Sequence, residues 1–156
     1  MSALSIEARP FDHPDVAAMI ERIQQYYVEV YGGPDRDVPE AADFTPPGGL
    51  FLIGYLDGAP VASGGWRRRP DGSAEIKRMF VVASARGRGA ARQLLAVLEA
   101  TAREAGATAI VLNTGYRQPD AMALYESSGY VRTDERYGHY QATEGAHFFG
   151  KQFPSQ

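Results

Sequence analysis

Apolar and polar positions along the chain switch between two periods. Leu4 to Ala8 alternate, the period-2 signature of a half-buried strand. From Asp15, placed to cap a helix, Val16, Met19, Ile20, Ile23, Tyr27 and Val30 recur at spacings of three and four and draw one apolar stripe. Gly32 and Gly33 end it. Between Gly33 and Gly49 lie prolines and acids, a long irregular connection with a short helix around Glu40 to Asp43. Leu50 to Leu56 and Val61 to Arg67 read as strands joined by Asp57-Gly58, a dipeptide suited to the positive φ angles of a type I′ turn. After the turn signal Pro70-Asp71-Gly72-Ser73 comes a strand from Ala74 to Val82. Its alternation directs Ala74, Ile76, Arg78, Phe80 and Val82 to one side and Glu75, Lys77, Met79 and Val81 to the other.

The second half continues in the same manner. A helix from about Ala90 to Ala105 carries Ala91, Leu94, Leu95, Leu98 and Ala102 on one face and stops at Gly106. Thr108 to Asn113 is a β-branched, apolar run fit for a buried strand. Pro119 opens a helix that carries Met122 and Tyr125 and ends at Gly129. Tyr130 to Thr133 and His147 to Phe153 are the last strands, separated by an aromatic loop holding Tyr137, His139 and Tyr140. The order β α β β β α β α β β predicts an α+β fold with one mixed, mostly antiparallel sheet of about seven strands flanked by helices.

A length of 156 residues suits a single domain spanning 1–156, and 44% hydrophobic with 22% charged residues predicts a real core rather than disorder. The absence of cysteine excludes disulfides, thiolate zinc sites and thiol nucleophiles. His13, His139 and His147 lack ligand spacing, so no metal is expected. The apolar run Leu50 to Leu56 is too short to span a membrane. Glu7 and Arg9 interrupt any secretory leader, and a cytoplasmic location is the expectation. The net charge of -3 argues against a nucleic-acid coat. Its distribution is polarised: Asp12 to Asp43 holds eight acids against two bases, and Arg67 to Arg92 eight bases against two acids.

Arg86-Gly87-Arg88-Gly89-Ala90-Ala91 stands between a strand and a helix, where free backbone N–H groups and the helix dipole make an anion site. It is neither a Walker loop, since no Gly-Lys-Ser/Thr follows, nor a dinucleotide fingerprint, since Arg92 stands in place of the third glycine. Taken alone it is equally a plain, solvated Arg/Gly connection.

The surrounding motifs decide between these readings. Arg86-x-x-Gly89-x-Ala91 resembles the pyrophosphate loop of the GNAT family of N-acetyltransferases. Ala74-Glu75-Ile76-Lys77-Arg78-Met79-Phe80-Val81 is similar to that family's fourth strand, and Gln118-Pro119-Asp120-Ala121-Met122-Ala123-Leu124-Tyr125-Glu126-Ser127-Ser128-Gly129-Tyr130 to its late helix and following strand. The resemblance implies an acyl-CoA N-acyltransferase fold and acetyl-CoA as the acyl donor. It implies that main-chain groups of Met79, Phe80 and Val81 pair with the pantetheine arm. Amides of Gly87, Arg88, Gly89, Ala90 and Ala91 would hold the pyrophosphate, with Arg86 and Arg88 nearby. It places Gln118, where many relatives have asparagine, against CoA, and Asn113 near the acetyl group.

For catalysis the resemblance implies Tyr125 as the acid that protonates the departing thiolate and Glu75 as the base. A lysine-like amine must shed a proton at a cost of about 4 to 5 kcal/mol at pH 7. Without the resemblance, Glu75 reads as a solvated strand carboxylate paired with Lys77 or Arg78, and Tyr125 as a core aromatic. Tyr137 and His139 are reserve candidates for the base. Arg67-Arg68-Arg69 reads as a solvated charge run, with a nucleic acid or the CoA 3′-phosphate as alternative contacts. The partner expected is a small-molecule amine, with neither nucleic acid nor membrane, and a homodimer stays open. The acid-rich stretch, with Glu29, Asp35 and Asp37, falls where the resemblance places the acceptor side, which implies a cationic small metabolite as acceptor. A protein lysine or N-terminus as acceptor, and a non-catalytic acyl-CoA sensor, are the alternatives.

Overall fold

The computed structural model describes residues 4–114, 119–137, 140 and 146–154. Its elements are β1 (Ser5–Ala8), α1 (Pro14–Tyr31), β2 (Gly49–Leu56), β3 (Ala59–Arg68), β4 (Ala74–Val81), α2 (Ala90–Glu104), β5 (Ala109–Thr114), α3 (Pro119–Ser127), β6 (Val131–Thr133) and β7 (His147–Gln152), with short 3-10 turns at Ala41–Phe44 and Ala83–Ala85. The seven strands form one sheet in the order β1-β2-β3-β4-β5-β7-β6. Every neighbouring pair is antiparallel except β4 and β5. The expected fold class is therefore the observed one.

Local chemistry accounts for most element ends. His13, rather than Asp15, caps α1: its Nδ1 accepts the Asp15 N–H at 3.0 Å, and Pro14 occupies the first turn where no N–H is needed. Gly32 closes the helix with φ 81°, and its N–H donates to the Val28 carbonyl at 2.9 Å. Val16, Met19 and Ile23 fill the core side of the stripe. The β2–β3 hairpin turns at Asp57 and Gly58, both at positive φ, as the dipeptide predicts. Leu94, Leu95, Leu98 and Ala102 bury one face of α2, and the Trp66 Nε1–H on β3 donates to Thr101 of that helix.

One irregularity in β4 reorganises the centre. Ser63 pairs with Phe80 and Gly65 with Lys77, so Arg78 and Met79 share the single opposing residue Gly64. This is a β-bulge, with Arg78 at φ 60° and its carbonyl accepting from Ser63 Oγ at 2.9 Å. The alternation read from the sequence holds up to Lys77 and inverts beyond it. Lys77 and Arg78 both turn toward the Asp35–Asp37 segment. Beyond the bulge Met79 turns toward Gly64 and α2, while the Phe80 ring meets Tyr26 of α1.

Candidate active site

β4 and β5 pair only at Ala74 with Ile110 and Glu75 with Val111, and then part. Into this opening falls a cleft of about 1140 Å³. Its lining includes Ile76 to Val81 of β4, the turn after it, the first residues of α2 and Tyr125 of α3, together with Tyr26, Tyr27, Tyr31, the Gly32–Arg36 segment, Asn113 and Tyr140. A parallel pair that separates after two residues leaves the main-chain groups of β4 facing the cleft without strand partners, so an extended ligand can complete the ladder.

The candidate anion cradle is the turn into α2. Gly87 and Gly89 have φ of 82° and 77°, and a Cβ at Gly87 would meet nothing within 4 Å. Gly89 is the N-cap and has no side chain to satisfy the first amides. Among the described residues the N–H groups from Gly87 to Arg92 have no backbone acceptor. The Arg86 guanidinium donates from Nε to the Val81 carbonyl at 3.1 Å and lies over the rings of Tyr26 and Phe80. Arg92 reaches from the first turn of α2 to Ser127 and Ser128, at 3.0 and 3.3 Å, and so ties the cradle to the helix of Tyr125. Open donors, positive-φ glycines and cations at the end of a long cleft fit an elongated ligand with a diphosphate, the chemistry of CoA.

Tyr125 is buried, packed against Tyr130 and Phe149, and lines the cleft. Burial alone pushes its phenol up, so it stays protonated through the neutral range.

The structure brings together Met79, Phe80, Val81, Arg86, Gly87, Gly89, Ala90, Ala91, Asn113 and Tyr125 on one cleft. Arg88 and Glu75 are not in its wall, and Gln118 and His139 lie outside the described residues. Glu75 is not a solvated strand carboxylate, nor is it paired with Lys77 or Arg78. It is 6% exposed, and the Arg67 Nε–H donates to it at 3.1 Å. Tyr137 packs edge-on against Phe148 with the Arg69 guanidinium 4.3 Å from its ring centre, and is likewise absent from the cleft wall. The arginine run is not a free basic patch. Arg67 is ion-paired, Arg68 donates to the Ala105 carbonyl at the end of α2, and Arg69 covers Tyr137.

The acid-rich segment is also differently employed. Asp35 and Asp37 are buried and turned inward. Asp37 Oδ2 lies 2.7 Å from Arg67 and 3.1 Å from Lys77, and Asp35 Oδ2 lies 3.7 Å from Lys77 and 3.6 Å from Arg78. The other oxygen of Asp35 accepts the Tyr140 hydroxyl and the Asp37 N–H. Burial would raise the Asp37 carboxyl, but the charges of Lys77 and Arg67 outweigh it and hold the group below the usual carboxylate range. The sequence reading missed this network because its acids lie 30 or more residues from its bases. The only local signal is the matched excess of acids and bases in the two segments.

A family description, acetyltransferase (GNAT) family, matches residues 16–130. The chain belongs to this family. As such it is an acetyl-CoA-dependent N-acyltransferase. It is 33% identical over 117 residues to an IAA acetyltransferase of Azospirillum brasilense, covering 74% of this chain and 76% of that one. To the Escherichia coli N-acetyltransferase YjgM it is 26% identical over 135 residues, 81% of each chain. A crystal structure of a GNAT-family acetyltransferase from Staphylococcus aureus superposes with a TM-score of 0.80 at 19% identity, over 96% of this chain and 99% of the other. The PaiA N-acetyltransferase of Thermoplasma acidophilum, solved with coenzyme A, gives 0.71 at 15% identity over 96% and 99%. These last two likenesses concern the fold. Among the described residues no helix is long and apolar enough to cross a membrane, and no three His, Asp or Glu side chains converge as metal ligands.

Proposed function

We propose that the protein moves an acetyl group directly from acetyl-CoA to the amine of a small molecule, with both substrates bound at once. One observation carries this reading: a single cleft joins the turn into α2 with its open amides, the buried phenol of Tyr125, and the aromatic and polar groups of Tyr27, Tyr31, Arg36, Asn113 and Tyr140. Donor and acceptor can therefore meet without a covalent stop on the protein, and the chain has no cysteine to offer one.

In this reading the main chain of Met79, Phe80 and Val81 pairs with the pantetheine arm, the α2 cradle grips the diphosphate, and Tyr125 gives its proton to the departing sulfur. Glu75, at the last paired position before β4 and β5 part, lies outside the cleft wall, so in this reading the amine proton reaches it only through water. An acceptor chamber walled from α1, β5 and Tyr140 suits a small molecule better than a protein surface. The idea that acids in this region attract a cationic acceptor loses its support, because Asp35 and Asp37 already face three cations of the protein itself.

The test is thiol release from acetyl-CoA across a panel of small amines and peptides, with Tyr125→Phe as control. Turnover with small amines that collapses in the variant supports the reading. Acetyl-CoA binding without turnover of any acceptor replaces it with a sensor role.

A further inference from the structure

We infer that the acceptor amine also carries a carboxylate, and that Arg36 anchors it. This rests on the acetyl-transfer reading above and deepens it. Away from the α2 turn and α3, the charged residues that line the cleft are Asp35, Arg36, Lys77 and Arg78. Asp35, the one acid among them, is saturated: one oxygen accepts the Tyr140 hydroxyl and the Asp37 N–H, and the other faces Lys77 and Arg78. Lys77 and Arg78 are in turn buried and held by Asp35 and Asp37. Arg36 differs from both. It is exposed, it lines the cleft, its backbone N–H is fixed by the Tyr140 hydroxyl at 2.8 Å, and its guanidinium lies over the Tyr140 ring. No carboxylate among the described residues lies within ion-pair distance of it.

The consequence is a cleft end whose fixed acid is neutralised and whose remaining guanidinium lies over an aromatic ring and is paired with no carboxylate among the described residues. Such a site favours an anionic group and disfavours a second cation on the acceptor. Tyr27, Tyr31 and Tyr140 in the same wall supply flat surface for the body of the molecule. An amino carboxylate satisfies all three features: its amine reaches toward the thioester, its carboxylate meets Arg36, and its side chain lies on the rings.

The experiment compares matched acceptors that differ in one group, phenylalanine with phenylalaninamide and phenethylamine, at saturating acetyl-CoA. Binding is read by calorimetry and turnover by thiol release. The inference predicts at least tenfold higher kcat/KM, or tenfold tighter binding to the CoA complex, for the carboxylate member. In Arg36→Gln that advantage disappears through KM, and Arg36→Lys restores part of it; circular dichroism verifies the fold of both variants. Equal or better use of the decarboxylated amine overturns the inference, as does an Arg36→Gln effect that falls alike on all three. If acetyl-CoA binds and the carboxylate member neither binds nor reacts, the inference fails while the donor site stands. If acetyl-CoA itself does not bind, the reading beneath it fails.

Discussion

Arg67 on β3 lies directly across the sheet from Glu75 on β4, and its guanidinium spans three carboxylates: Glu75 at 3.1 Å, Asp37 at 2.7 Å and Asp43 at 3.4 Å. It thereby fixes the long connection after α1 to the central strands. Removing one partner from a buried ionic cluster strands the others, at a cost of about 3 to 5 kcal/mol. Arg67→Met should lower the melting temperature by roughly 6 to 20 °C in a chain of this size. Adding Glu75→Leu to that variant should recover part of the loss. A melting temperature unchanged in Arg67→Met would mean that the cluster contributes nothing to the fold.

Glu75→Gln separates structure from chemistry at the same position. The amide oxygen still accepts from Arg67, so the fold should persist, while the proposed acceptor of the amine proton is gone. We expect kcat to fall on the order of a hundredfold with a small change in melting temperature. An unaltered kcat would move the proton's exit away from Glu75.

Acid should act through Asp37. Its folded-state carboxyl sits below the ordinary range because Lys77 and Arg67 outweigh the cost of burial. A depressed carboxylate contributes stability that is complete above its unfolded pKa of about 3.9 and is lost as pH falls through the folded value. The melting temperature of the wild type should therefore drop steeply below about pH 4. Asp37→Asn should start lower at pH 7 and show a shallower acid limb. Parallel curves for the two proteins would remove Asp37 from the account.

Tyr125→Phe is expected to leave the fold intact, since no hydrogen bond to its hydroxyl is seen among the described residues and its ring contacts with Tyr130 and Phe149 survive. If the phenol protonates the leaving sulfur, kcat should fall about a hundredfold with acetyl-CoA KM little changed. Because burial pushes this phenol up, its ionisation should not shape the rate profile between pH 6 and about pH 10. A wild-type rate from Tyr125→Phe would leave the residue only a packing role.

Much of the architecture was legible because it is local. The Asp57-Gly58 turn and the stripes of α1 and α2 each declare themselves within a few residues, whereas the Arg86–Ala91 turn takes its meaning from the strand and helix motifs around it. The bulge at Arg78 did not, since nothing in Lys77-Arg78-Met79 requires it. Ser63 and the aspartates of a distant segment stabilise it, and it inverts the facing of Met79 and Phe80. Asp35 and Asp37 read as charge for a cationic acceptor, and Glu75, without the resemblance, as a solvated strand carboxylate, for the same reason: their cations come from other parts of the chain. At α1 the sequence pointed to Asp15, but a preceding histidine with an available ring nitrogen fills the cap as well.

The most direct test is titration of acetyl-CoA into folded protein by calorimetry, alongside Gly89→Ala, whose Cβ must enter a φ of 77° at the cradle. A left-handed L-residue there costs about 1 to 2 kcal/mol, and any shift of the turn misaims the amides. One saturable site in the wild type, weakened about tenfold or more in Gly89→Ala, is the predicted result. No heat of binding from wild-type protein at millimolar acetyl-CoA would contradict the account.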